Sequence, residues 1–428
     1  MRYGLLGEKL SHSFSPKIHS MLGNTDYGLF SVAREELDSF MRESSFEAIN
    51  VTIPYKQSVI PYLYSISEKA ESIGSVNTVV RDREGRLHGY NTDYTGLRYM
   101  LERGGISLRG KKVLILGSGG TSLTARAAAA DMGAGSVTII SRRGEDNYEN
   151  ISRHRDAEVI INTTPVGMYP KNGEALISLS EFPRLKAVAD VIYNPFYSEL
   201  LLEARKKGIK YANGLSMLVA QAVAADSIFF SEERGAALPK EEPELSAEDK
   251  KKVEAIHGRL FFELSNLVLV GMPSSGKTTV GRELARELKK EFRDADTEIE
   301  EKYGASIPEI FEREGEQGFR DKESTVIREL SKERGLVIST GGGAVLREEN
   351  RRALRQNAVT VFLKRDIEKL SLEGRPLSKS REELYSMYER RLPFYEEASD
   401  ITVDNNGDIE ETVRNIVEEL KKYEAFGD

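Results

Sequence analysis

Residues 267–279 read LVLVGMPSSGKTT. A short apolar run of strand length meets Gly271-x4-Gly276-Lys277-Thr278, the complete glycine-rich phosphate-loop pattern, and a helical stretch follows from Thr278 to Lys290. Strand, tight loop and helix in that order predict a parallel α/β domain with an anion site at the loop. The glycines free the backbone so that the N–H groups of Gly271, Ser274, Ser275 and Gly276 converge on phosphates at the positive end of the helix. Lys277 is placed to bridge the terminal phosphates. The Thr278 hydroxyl is a ligand for Mg²⁺, and Thr279 continues the same turn. The expected ligand is ATP with Mg²⁺.

The residues after the loop point to the acceptor. Asp294 and Asp296 in FRDAD read as alternate positions at a strand end, with both carboxylates on one side. One suits Mg²⁺, the other the proton of a hydroxyl. Gly341-Gly342-Gly343 follows an apolar strand, and its bare backbone admits a small ligand. Arg320, Arg375 and Arg391, in GFRDKE, EGRPLS and RRLPFY, read as anion clamps. In this order these motifs resemble shikimate kinase over nearly the whole segment from about Leu264 onward. The resemblance implies that Asp296 binds the shikimate hydroxyls and acts as base, with Arg320 and Arg391 on the carboxylate. It also implies Gly342 against the ring, Asp294 and Thr278 at Mg²⁺, and Arg375 closing on ATP from a lid. The lid stretch SLEGRPLSKS is short and lacks the additional arginine often found before RPL.

A second loop stands upstream. Residues 113–121 read VLILGSGGT, again strand, tight turn and helix start, with Gly117, Ser118, Gly119, Gly120 and Thr121 as candidates for a dinucleotide. The next strand ends in Ser141-Arg142-Arg143, about 25 residues past Gly117, where an NAD-binding fold places an acid for the ribose hydroxyls. Arginines there favour a 2′-phosphate, hence NADP. Polar residues also cluster at strand and turn ends earlier in the chain: Ser13 and Ser15 in SHSFSP, Thr52 and Lys56 in NVTIPYK, Asn77 in GSVNT, and Asp93 in NTDYTG.

Their collective pattern resembles shikimate dehydrogenase across roughly residues 1–230. The resemblance implies substrate contacts from Ser13, Ser15, Thr52, Lys56, Asn77, Asp93 and, in GLSMLVAQA, Gln221, with Lys56 and Asp93 as the catalytic pair. INTTPVGM and VIYNP resemble that family's cofactor-facing strands, which puts Thr163, Met168 and Val191 near the nicotinamide and Tyr193 and Gly214 toward the substrate. Reducing a ring ketone needs hydride at carbon and a proton at oxygen, and an ammonium beside a carboxylate supplies the proton. Coupled groups titrate together, so sequence leaves open which of Lys56 and Asp93 is the formal donor. Quinate is an alternative substrate for the same fold, and a nucleotide-binding module without turnover is an alternative class.

Bulk composition agrees with two enzymes in one chain. The 428 residues exceed one ordinary core, 39% are hydrophobic, and no apolar run approaches the ~18 residues of a membrane span. Cysteine is absent, excluding disulfides and thiolate metal sites, and the five histidines show no metal spacing. A net charge of −8 disfavours a nucleic-acid surface. The N-terminus lacks a signal-like apolar core, so a cytoplasmic protein acting on small molecules is expected. The expected architecture is a two-lobed substrate and Rossmann-type NADP region over 1–235 (substrate lobe about 1–100 plus 215–235, NADP lobe about 101–214). The polar, proline-containing stretch and charged helix of 236–260 read as a linker, and 261–428 reads as a P-loop α/β domain resembling nucleoside-monophosphate kinases.

Overall fold

The computed structural model describes residues 2–10, 13–43, 45–231, 235–371 and 380–422. The chain divides into two compact units, Met1–His257 and Gly258–Asp428.

The first unit carries two sheets. One has strands β1 (Tyr3–Gly7), β2 (Tyr27–Ser31), β3 (Ala48–Val51), β4 (Ser65–Ile66), β5 (Thr78–Arg81) and β6 (Leu87–Tyr90) in the order β2-β1-β3-β5-β6-β4. β5 runs antiparallel to both β3 and β6, so this sheet is mixed. The other is wholly parallel, with β7 (Lys112–Leu116), β8 (Ser136–Ile140), β9 (Val159–Asn162), β10 (Ala187–Asp190) and β11 (Lys210–Ala212) in the order β11-β10-β9-β7-β8. Helices covering both faces of a parallel sheet demand continuous apolar strands, and VIIN and AVAD are buried throughout.

Register brings the loop ends level. Leu116 pairs with Ile140 and with Asn162, and Asn162 with Asp190. Gly117, Ser141, Thr163 and Val191 therefore emerge side by side at the carboxyl edge, where the strand order reverses about β7. Asp190 is fully buried and fastens this edge, accepting hydrogen bonds from Asn162 Nδ2 at 3.0 Å, Ile192 N at 3.0 Å and Ser198 Oγ at 2.5 Å.

The second unit repeats the logic with one parallel sheet. Strands β12 (Asn266–Val270), β13 (Glu291–Asp294), β14 (Leu336–Ser339), β15 (Ala358–Lys364) and β16 (Ile401–Asp404) lie in the order β13-β14-β12-β15-β16. Asp294 is level with Ser339, and Val270 with Phe362, so the loop after β12 opens between these strand ends. No helix among the described residues is long and apolar enough to cross a membrane.

The stretch read as a linker is structured on the first unit. Its proline carbonyls accept from core hydroxyls, Tyr90 Oη to Pro239 O at 2.9 Å and Thr95 Oγ1 to Pro243 O at 3.1 Å. The Glu242 carboxylate is buried and accepts from Ser67 Oγ at 2.5 Å and Asn91 N at 2.7 Å. Further on, Glu254 binds Tyr99 and Arg103, and the division between units falls within the helix Ala247–Leu264. Polar, proline-containing composition read as a linker, but these carboxylates and carbonyls satisfy donors that the lobe itself leaves open. Replacing Glu242 with alanine strands the Ser67 hydroxyl and the Asn91 N–H, and is expected to lower the stability of the first unit by about 1–3 kcal/mol in urea unfolding.

Candidate functional site

In the first unit the polar residues scattered through the sequence converge. A cavity of about 190 Å³ is lined by Ser13, Ser15, Thr52, Lys56, Asn77, Asp93, Tyr193, Gly214 and Gln221, together with Asn50, Thr121, Val191 and Met217. Local rules put each there. Asp93 lies in the first turn of the helix Thr92–Arg103, whose start is capped by the Asn91 side chain accepting from Tyr94 N at 3.2 Å. Gln221 comes from the helix Gly214–Phe229, which approaches Thr92–Arg103 closely because Gly96 has no side chain: a Cβ there would lie 2.6 Å from Met217 O.

Lys56 Nζ donates to Asp93 Oδ2, and Asn77 Nδ2 donates to Asp93 Oδ1 at 2.9 Å. The amide of Asn77 has one allowed orientation, since its oxygen accepts from Thr92 N at 2.7 Å and Thr78 Oγ1 at 3.1 Å. Behind Thr78 stands Asn50, donating to it at 3.2 Å and accepting from Tyr27 Oη at 2.8 Å. Burial holds His19, which stacks on Tyr27 and contacts Asn50, neutral with its pKa pushed down to about 3. The dyad is thus supported by a polarised chain reaching into the core.

A cleft of about 500 Å³ adjoins this cavity, and Lys56 and Thr121 line both. Its wall holds Gly117, Ser118, Gly119, Gly120, Ser141, Arg142 and Thr163. Gly117 turns at φ +109°, and a Cβ there would lie 2.8 Å from Thr163 Oγ1, so only glycine fits this turn. A dinucleotide matches this wall in kind: a bare glycine turn at a helix N-terminus for phosphates, an exposed guanidinium at the end of β8, and hydroxyls at the end of β9. Arg143 and Met168 line neither cavity, and Val191 faces the smaller one. Arg143 follows Arg142 in a turn and points to solvent, while Met168, 44% exposed, sits in the turn after the cleft wall. Tyr148, Gln57 and Leu176 line the cleft without a sequence signal that separated them from ordinary loop residues.

In the second unit Gly271, Ser274 and Gly276 all take positive φ, +151°, +59° and +93°, which curls the loop around a nest of N–H groups. Lys277 opens the helix Lys277–Leu288, and its Nζ lies over the loop, donating to Gly271 O at 3.1 Å and Met272 O at 2.9 Å. Thr278 Oγ1 donates to Asp294 Oδ2 at 2.7 Å, and Ser339 Oγ is 3.4 Å away. This all-oxygen set suits a hard divalent cation such as Mg²⁺, although no three or more His, Asp or Glu side chains among the described residues are grouped so as to hold a metal ion by themselves. Ser275 and Thr279 continue the loop and helix. Arg375 lies outside the described residues.

One sequence expectation changes here. Asp294 and Asp296 are not alternate strand positions: Asp294 ends β13 and caps a new helix by accepting from Asp296 N at 3.1 Å, so Asp296 belongs to the first turn of Ala295–Tyr303. The bare backbone of Gly341 to Gly343 also lets protein side chains close in. A Cβ on Gly341 would lie 2.8 Å from both Asp296 Oδ1 and Glu323 Oε1, one on Gly342 2.5 Å from Pro273 Cδ, and one on Gly343 2.3 Å from Arg320 Nη2. The triplet is therefore the plate against which the acid, the arginine and the phosphate loop are set. Arg391 Nη1 donates to Gly342 O at 3.1 Å, as does Tyr395 Oη at 2.5 Å.

Glu323, buried and donated to by Arg320 Nη1 at 2.7 Å, was missed in the sequence; its signal was the i,i+3 spacing from Arg320. Asp296 Oδ1 and Glu323 Oε1 are buried without hydrogen-bond partners. Burial, reinforced by the neighbouring Asp294 and Glu323 carboxylates, pushes the Asp296 pKa up to about 6 from an ordinary 3.8. Because the folded pKa is the higher one, stability from this group is fully present below the unfolded pKa and is lost as pH rises through about 6. Asp296→Asn is expected to make the second unit more stable than the parent above pH 6, by about 1–3 kcal/mol, with little difference near pH 4, in urea unfolding across pH.

Both units are similar to known proteins. A family model described as the shikimate dehydrogenase substrate binding domain matches residues 5–79, and one described as shikimate kinase matches residues 273–421. A shikimate dehydrogenase (NADP(+)) of Clostridium beijerinckii is 36% identical over 247 residues, covering 53% of this chain and 91% of that protein. The crystal structure of a chorismate mutase/shikimate 5-dehydrogenase fusion protein from Clostridium acetobutylicum is 35% identical, covering 60% of this chain and 96% of that one at a TM-score of 0.53. Shikimate dehydrogenase 1 from Peptoclostridium difficile, also 35% identical, aligns over 60% of this chain and 97% of its own at a TM-score of 0.52.

Proposed function

The chain belongs to the shikimate dehydrogenase family through its first unit and carries a shikimate kinase domain in its second, and on that premise we propose how its residues carry two consecutive reactions. The first unit reduces 3-dehydroshikimate to shikimate. Bound NADPH supplies the hydride. Lys56 delivers the proton to the ketone oxygen, and Asp93 orients its ammonium and accepts from a ring hydroxyl. Ser13, Ser15, Thr52, Asn77, Tyr193, Gly214 and Gln221 hold the carboxylate and remaining hydroxyls. Arg142 favours the 2′-phosphate of NADP over the bare ribose of NAD. The observation that carries this reading is that Lys56 lines both the small polar cavity and the nucleotide-sized cleft, where proton and hydride must meet.

The second unit phosphorylates the 3-hydroxyl of shikimate from ATP. Asp296 accepts the hydroxyl proton, and its raised pKa of about 6 keeps it a usable base at neutral pH. Arg320 and Arg391 hold the carboxylate against Gly342, and Thr278 with Asp294 holds Mg²⁺. Lys277 and the loop N–H groups of Gly271 to Thr279 carry the phosphates. Supplying 3-dehydroshikimate, NADPH, ATP and Mg²⁺ to variants separates the two sites. Lys56→Ala is expected to slow NADPH oxidation by about 10²–10⁴-fold and ADP formation with it, whereas Lys277→Ala stops ADP formation and leaves NADPH oxidation intact. ADP formation that never depends on shikimate overturns the kinase assignment.

A further inference from the structure

We propose that Arg365 is a phosphate-binding residue of the kinase site, an inference that rests on the nucleotide reading of the second unit. Arg365 directly follows β15, the strand beside β12 on the side away from Asp294. The end of β15 is the back wall of the phosphate loop. Leu363 O lies 2.7 Å from where a Cβ on Gly271 would stand, and Asn405 ties the loop to this wall, donating its backbone N–H to Lys364 O at 2.8 Å and its Nδ2 to Ser275 O at 2.6 Å. From there the guanidinium turns back over the loop. Nη1 is 3.5 Å from the position of a Cβ on Gly276, the residue that opens the helix carrying Lys277 and Thr278.

This guanidinium is half-buried, and its Nε is buried without a hydrogen-bond partner. No hydrogen bond or ion pair joins Arg365 to another described residue, in a unit where Arg320, Arg347, Arg351 and Arg381 each engage a carboxylate or carbonyl. A planar cation held at a phosphate nest with its donors unused matches the charge and geometry of a nucleotide's phosphate chain. The stretch SLEG immediately before Arg375 lacks an additional arginine, and Arg365 supplies a positive charge at the phosphate loop from the end of β15.

The test is calorimetric titration of the full chain with Mg²⁺·ATP, Mg²⁺·ADP, inorganic tripolyphosphate and shikimate, using Arg365→Ala and Arg365→Lys. The expected result is about tenfold or greater loss of affinity for ATP, ADP and tripolyphosphate in Arg365→Ala. A smaller loss is expected in Arg365→Lys, with shikimate affinity and NADPH oxidation unchanged in both. Nucleotide affinities within twofold of the parent overturn the proposal. So does a loss for ATP without one for tripolyphosphate, or an equal loss for shikimate, which marks a structural role. A parent chain that binds no nucleotide overturns the kinase reading itself.

Discussion

Asp93 is a nearly buried carboxylate held between the ammonium of Lys56 and the amide of Asn77, and the substrate lobe is organised around keeping that charge accompanied. Removing either partner of such a pair leaves the other charge uncompensated, which costs more than the pair itself contributes. The lobe answers by fixing every donor. Asn77 cannot flip because Thr92 and Thr78 occupy its oxygen, Thr78 is fixed by Asn50, and Asn50 by Tyr27 and a neutral His19. Even the segment leading to the second unit joins in, since Glu242 binds the N–H of Asn91, two residues before Asp93.

The kinase unit treats its central carboxylate in the opposite way. Asp296 lies close to two other carboxylates, and one of its oxygens is buried without a partner. Asp296 and Glu323 close on Gly341, and Arg320 on Gly343, so tightly that no side chain fits at either glycine. Such an arrangement stores an electrostatic cost in the folded protein, and it raises the basicity of the carboxylate proposed to take a proton. In the proposed reactions one site keeps a charge paired so that a neighbour can donate a proton, and the other leaves a charge unpaired so that it can accept one.

Much of this was legible in the sequence because strand-loop-helix order and glycine spacing are local. The run read as Val113 to Leu116 became Lys112–Leu116, and the phosphate loop lies where the pattern put it. Contacts made across the fold were less legible. Asp294 and Asp296 looked like a strand pair because period-2 spacing does not reveal that Asp294 caps a helix. Glu323 was not singled out, and Glu242 was read only as part of a linker, because burial is set by tertiary partners. Arg143 was grouped with Arg142 by adjacency, yet only Arg142 reaches the cleft. Arg365 carries no motif and is singled out only by the wall it stands on.

Both units present their chemistry at the carboxyl edge of a parallel sheet, where neighbouring strands part and a glycine turn exposes backbone N–H groups. That shared architecture lets one chain use a nucleotide to make shikimate and another to consume it. The most direct measurement follows the wild-type chain given 3-dehydroshikimate, NADPH, ATP and Mg²⁺, with mass-spectrometric identification of the products. The account predicts shikimate 3-phosphate as the end product, with one ADP formed per NADPH oxidised. Shikimate that accumulates without ADP formation, or ADP formed with no phosphorylated ring product, would contradict it.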